Sequence, residues 1–188
     1  METKEFFEEL LKKRQIWIGD INPESCERVI TSIAFLNAKD STQLIQLMID
    51  SNGGNVSEGL IIYDSITLSK APTEGVVCGA GHSIASVILQ GCLRRKASRH
   101  STILIHNIGR QVRLKMVLPD AENPYGKIDV DAIVRSWGDL ATRSTGNIIK
   151  ILSEKTGRTP TEIITAMNTE KVFAAEEAKE FGLVDEVI

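Results

Sequence analysis

The sequence predicts an α/β fold. Short apolar runs of strand length alternate with stretches of helical periodicity along the 188 residues. Two of these runs end in small-residue turns, Asp50-Ser51-Asn52-Gly53-Gly54 and Gly79-Ala80-Gly81, and each turn leads into a helical pattern. Hydrophobic residues at 42% and charged residues at 25% are the proportions of a folded globular domain, which sets disorder aside. The length fits one domain over 1–188, in which roughly 70% of the unfolded surface can be buried without disulfides or metal.

Each element has its own signal. Strands are expected at Gln15–Gly19, Leu44–Asp50, Gly75–Gly79, Thr102–His106, Lys171–Ala174 and Leu183–Ile188, where the apolar runs lie. Between the first two, Asn22 can cap a helix whose first position suits Pro23. Cys26, Val29, Ile30, Ile33 and Ala34 give that helix one apolar stripe. Further helices are expected over Val56–Ser69 and over His82–Gln90, the latter stopping at Gly91. The longest covers about 129–155, where Ile133, Trp137, Leu140, Ala141, Ser144, Ile148, Ile151 and Leu152 keep helical spacing ahead of Gly157. A helix that long in so small a domain either projects and packs on another subunit or lies across the sheet. Thr159-Pro160-Thr161-Glu162 reads as a capping box for a short helix, and Glu176–Phe181 as a last one stopped by Gly182. Gly109–Gly126, with Pro119 and Pro124, reads as an exposed loop. No repeat or linker divides the chain.

Charge and cysteine usage narrow the function classes. The formal charge of −3 offers no electrostatic reason for a nucleic-acid or anionic-membrane partner, and no run approaches the ~18 apolar residues of a membrane span. The basic cluster Arg94-Arg95-Lys96, with Arg99 and His100, lacks interleaved aromatics and reads as a solvated loop. Cys26, Cys78 and Cys92 lack metal-ligand spacing and sit in apolar contexts, so buried free thiols in a reducing compartment are expected. The amino terminus is charged and has no apolar core of a signal peptide. A cytoplasmic protein is the expectation. The three histidines lack ligand spacing, so neither metal nor cofactor is expected.

Three stretches are candidates for chemistry. Gly53-Gly54 follows a strand and precedes a helix, where bare backbone N–H groups can face a ligand or where glycine serves the turn alone. Ser83 follows Gly79-Ala80-Gly81-His82 at the mouth of a helix, where the positive potential favours a developing oxyanion. It is either a nucleophile or an ordinary N-cap. His106 ends an apolar run, a place where active-site groups of α/β proteins gather; alone it is as readily a structural histidine.

In order and spacing these stretches resemble the ClpP family, the serine peptidase subunit of Clp proteases. The resemblance runs from Arg14 to Val187. It rests on Gln15-Ile16-Trp17-Ile18-Gly19-Asp20-Ile21, on Ile49-Asp50-Ser51-Asn52-Gly53-Gly54 with Gly59–Ser65, and on Gly79-Ala80-Gly81-His82-Ser83. Ile103-Leu104-Ile105-His106, Lys155-Thr156-Gly157-Arg158 and Ala175–Asp185 complete it. It implies a ClpP/crotonase-like spiral of strand-strand-helix units with a projecting handle helix at about 129–155, assembled into a ring and a stacked double ring. It further implies a serine endopeptidase acting on peptides or unfolded polypeptides, with Ser83 as nucleophile and His106 as general base. Glu170 falls on the third triad position, and the N–H groups of Gly54 and Ile84 on the oxyanion hole.

Several positions depart from the family pattern. Glu170 is one methylene longer than the aspartate of most relatives. His82 stands where a small residue precedes the serine, and it either crowds the site or acts as a second base. Gln46 and Met48 occupy positions where relatives show aromatic residues in the docking pocket of their ATPase, which counts against a Clp-type ATPase partner. Two other readings compete: a catalytically weak or inactive ring subunit that contributes assembly alone, and a crotonase-like acyl-CoA enzyme. Retention of Ser83 and His106 argues against both.

Overall fold

The computed structural model describes residues 3–107 and 130–188. Its centre is a mostly parallel sheet. Strands β1 (Gln15–Ile18), β2 (Ile45–Ser51), β3 (Thr73–His82), β4 (Arg94–Ala97) and β7 (Glu186–Val187) lie side by side in that order, all parallel. The α/β class read from the sequence is the observed one. Parallel neighbours need crossovers, and helices supply them. Helix α2 (Pro23–Lys39) joins β1 to β2, α3 (Val56–Thr67) joins β2 to β3, and α4 (Ile84–Gln90) joins β3 to β4.

Strand β3 is twice the length expected, and the surplus matters. Its first half pairs with β4 through Glu74–Val77, and its last three residues, Ala80–His82, pair with β5 (Thr102–Leu104). One long strand thus serves two partners in succession along one edge. The second partner brings the end of β5 beside the end of β3. Strand β6 (Val172–Ala174) then pairs antiparallel with β5.

The helices follow their caps and stripes. Asn22 Oδ1 accepts from Ser25 N at 2.9 Å and Pro23 opens α2, which buries Cys26, Val29, Ile33 and Leu36. Leu36 takes the place expected of Ala34, which is exposed. Helix α6 (Pro160–Asn168) has the predicted reciprocal cap between Thr159 and Glu162, and α7 (Ala175–Phe181) ends at Gly182 with φ 94°. Leu47, Ile49 and Val77 from the sheet, with Ile62, Ile88 and Leu89 from α3 and α4, lie at the centre of the core.

Two expectations need correction, and a third question is answered in part. The first is Arg94-Arg95-Lys96, which is strand β4 and not a solvated loop. Its charges are paired: Arg94 and Lys96 flank the buried Glu74 carboxylate at 3.4 and 3.5 Å, and Arg95 binds Asp185. Arg95 Nη1 also donates to the Gln90 side chain at 2.7 Å and to the carbonyls of Gly182 and Lys155 at 2.9 and 3.1 Å. A cationic run reads as surface by composition, but complementary carboxylates on the neighbouring strands make it a strand.

The second concerns residues 3–12, where no element is expected. They form helix α1 (Thr3–Lys12), whose Phe6 meets Trp17 edge-on at 6.5 Å while the Arg28 guanidinium lies 4.1 Å over the Phe7 ring. The third concerns helix α5 (Val130–Thr156), close to its expected span. The sequence left open whether its apolar stripe packs on another subunit or on this chain's sheet, and two of its residues, Ile148 and Leu152, are buried within this chain's own core. The side chains of Ile133, Trp137, Leu140 and Ala141 lie outside the described residues, as does the expected loop Gly109–Gly126.

Candidate active site

The site is built where β3 hands over to α4. Ser83 is the joint, with φ 56° and ψ −127°, a conformation that non-glycine residues rarely adopt. It costs on the order of 1–3 kcal/mol and persists only because surrounding bonds impose it. Ser83 N donates to Leu104 O at 2.9 Å, fastening the joint to β5. Its carbonyl accepts from Ser86 N at 3.0 Å and Ser86 Oγ at 2.6 Å, fastening it to the first turn of α4. The Ser83 side chain makes no N-cap hydrogen bond. Of the two readings left open by the sequence, the N-cap is not the one observed.

Instead the hydroxyl is directed at a base. Ser83 Oγ and His106 Nε2 are 2.7 Å apart. The geometry follows from the register: His82 pairs with Leu104, so the residue after each strand end faces the other, and His106 lies one step further along. A hydroxyl at a sharp strand-to-helix turn, within hydrogen-bond reach of an imidazole, can be deprotonated as it attacks a carbonyl carbon.

Two backbone donors share the cleft. Ile21 makes both hydrogen bonds of its parallel bridge, accepting from Asn55 N at 2.9 Å and donating to Gly53 O at 2.8 Å. The N–H of the intervening Gly54 is therefore turned away from β1, and it has no partner among the described residues. Ile84 N opens α4, where first-turn N–H groups have no intrahelical acceptor. Gly54, Ile84, Ser83 and His106 all line one cleft of about 300 Å³. Its remaining wall is apolar: Val56, Val87, Ile105, Ile148 and Leu152, with Ser86 beside them. Such an arrangement can take an uncharged side chain while two N–H groups meet an oxyanion.

The structure does not join the remaining candidate to the pair. Glu170 is exposed, sits at φ 49° on the turn between α6 and β6, and its carboxylate bonds to nothing among the described residues. Among the described residues the His106 ring hydrogen-bonds to Ser83 alone. Yet the backbone carries Glu170 close: β5 and β6 pair Leu104 with Val172, and Ile105 N donates to Lys171 O at 3.3 Å. The two segments are thus joined as far as Ile105 and Lys171, each the neighbour in sequence of His106 and Glu170.

His82 is committed elsewhere. Its Nε2 lies 2.9 Å from Thr102 Oγ1, and no hydrogen bond links it to Ser83, so it is not placed as a second base. Burial pushes its imidazole below the ordinary range and the His106 ring adds to that, while the Asp50 carboxylate pulls the other way. Two features of the site were not anticipated from the sequence. Ser86 fixes the Ser83 carbonyl, for which its three-residue spacing is the signal. Ile148 and Leu152 reach the cleft from α5, for which the only signal was their shared helix face.

Compared with protein families, the chain matches the one described as Clp protease over residues 1–188, its whole length.

Proposed function

The chain belongs to the Clp protease family, and on that premise we propose that it is a serine endopeptidase hydrolysing peptides or unfolded polypeptides inside a ring-shaped homo-oligomer. The observation that carries the reading is the 2.7 Å contact between Ser83 Oγ and His106 Nε2, made by a side chain that forms no capping hydrogen bond.

In this reading Ser83 Oγ attacks the scissile carbonyl as His106 Nε2 takes the hydroxyl proton. The carbonyl oxygen becomes an oxyanion within reach of the N–H groups of Gly54 and Ile84, which are already oriented and need no reorganisation. The imidazolium then returns the proton to the leaving amine, and an acyl group remains on Ser83. Water, activated by the same imidazole, releases it. The apolar wall from Val56 to Leu152 takes the side chain on the acyl side, which favours uncharged residues there.

A fluorophosphonate tests the nucleophile directly. The wild-type chain should be labelled at Ser83, as located by peptide mapping of the adduct, and Ser83→Ala should lose both the label and peptide hydrolysis while melting as the wild type does. A label that persists in Ser83→Ala, at Ser86 for example, removes the assignment.

A further inference from the structure

His106 sits between two cross-links that tie its strand end to the turn after α6. On one side is the backbone bond from Ile105 N to Lys171 O, 3.3 Å. On the other, Asn107 Nδ2 donates to Asn168 Oδ1 at 2.7 Å, a side-chain bond spanning 61 residues of sequence. Asn168 is the last residue of α6, and Glu170 follows it by two. The turn between them is unusual, because Glu170 holds φ 49° without being glycine. The turn closes on its own backbone, Glu170 N donating to Met167 O at 3.2 Å and Lys171 N to Ala166 O at 3.1 Å, so it moves as one unit with the end of α6. The Asn107–Asn168 bond is the side-chain tether between that unit and the residue after His106. It is exposed, so it adds little to global stability, and no other described bond joins α6 to the segment after β5.

Resting on the peptidase reading, we infer that Asn107 and Asn168 form a clasp that positions the Glu170 turn over His106, making both asparagines positioning residues. The clasp answers the extra methylene of glutamate. With the clasp closed, the turn keeps one place beside the end of β5, and in this inference its Glu170 carboxylate serves the ring nitrogen that Ser83 does not use. That contact orients the imidazole and supports its positive charge during proton transfer. With the clasp open, the α6 end relaxes and the carboxylate loses its fixed approach.

The test is steady-state hydrolysis of a fluorogenic peptide by the full chain carrying Asn107→Ala, Asn168→Ala, both, or Asn168→Asp, each in wild-type and Glu170→Gln backgrounds. Orientation of a catalytic group is a transition-state effect, so either alanine variant should lower kcat about tenfold with KM unchanged. The double variant should be no worse than either single one, because one bond is removed in all three. Asn168→Asp, which keeps an acceptor for Asn107, should restore the rate. In the Glu170→Gln background the alanine substitutions should cost nothing more. Wild-type kcat in Asn168→Ala, equal losses in Asn168→Asp and Asn168→Ala, or losses that multiply with Glu170→Gln would each overturn the clasp. Failure of the peptidase reading shows separately, as hydrolysis that survives Ser83→Ala.

Discussion

A β-carbon placed on Gly53 would stand 2.7 Å from the β-carbon of Ser83 and 2.9 Å from the carbonyl oxygen of His82. Carbon atoms do not approach so closely, and Gly53 also has φ 97°, which L side chains disfavour. The β2–α3 turn and the β3–α4 joint are therefore packed backbone against backbone, with glycine as the only residue that fits. That contact sets the Gly53-Gly54 turn directly against Ser83, in the cleft that Gly54 and Ile84 both line. It turns a glycine pair common in strand-to-helix turns into part of the site.

Gly53→Ala should displace either the Ser83 joint or the Gly54 donor. A misplacement near 1 Å costs about 10²-fold in rate, so peptide turnover should fall by that order while circular dichroism stays native. Turnover within twofold of the wild type would show that the turn can give way without moving the site.

His106→Ala should lower kcat about 10³-fold, because the hydroxyl loses its proton acceptor. Groups that act as a unit are not additive, so Ser83→Ala/His106→Ala should be no slower than Ser83→Ala alone. Single-turnover assays of the three variants decide it. A double variant slower by the product of the single losses would separate the two residues.

Arg95 should matter more to stability than any exposed cation. Its side chain is only 12% exposed, and it binds Asp185, Gln90 and two helix-end carbonyls. Arg95→Ala should destabilise by about 3 kcal/mol, leaving those acceptors unpaired. Urea denaturation measures it, and a loss below 1 kcal/mol would contradict the network.

The Asp185 side of that pair should show in the pH dependence. Burial works to raise its carboxyl, and the hydrogen bonds and charge of Arg95 outweigh burial, leaving it below the ordinary carboxylate value. A carboxylate so depressed adds stability above its unfolded pKa, near 3.8, and that contribution disappears as pH falls through the folded value. Wild type should therefore melt above Asp185→Asn at pH 7, and the gap should start to narrow below the unfolded value near 3.8 and close only once the pH has fallen past the lower folded value. A gap that persists into acid would assign the effect to something other than this charge.

Thiol titration probes the core. Burial pushes the Cys92 thiol up to about 12, and the Cys26 and Cys78 thiols are raised for the same reason. The nucleophile is the thiolate, so at pH 8 Cys92 should be inert to maleimide in the native chain. Denaturation should expose all three cysteines to reaction. Native-state labelling of Cys92 at the unfolded rate would mean that the β3–α4 layer opens readily.

Much of this protein is legible along the chain, because the relevant physics is local. Asn22 with Pro23, Thr159 with Glu162, and Gly182 are capping chemistry between residues a few positions apart, and the helices start or stop where they stand. The alternation of strand and helix sets the α/β class, and the stretches around Ser83 and His106 identify the family. What the chain could not reveal are relations between distant segments. Arg94-Arg95-Lys96 is a strand because Glu74, Asp185 and Glu186 come to it from neighbouring strands, and composition cannot see neighbours. Ser83 is aimed at His106 and not at its own helix because β3 runs long enough to pair with β5 after it has finished with β4. Glu170 stands two residues before β6, the strand paired with β5, yet its carboxylate makes no hydrogen bond among the described residues, which no reading along the chain could tell. Local sequence determines which elements form. Only their packing decides which side chains meet, because hydrogen bonds of 2.7 Å depend on the register of strands far apart in the chain.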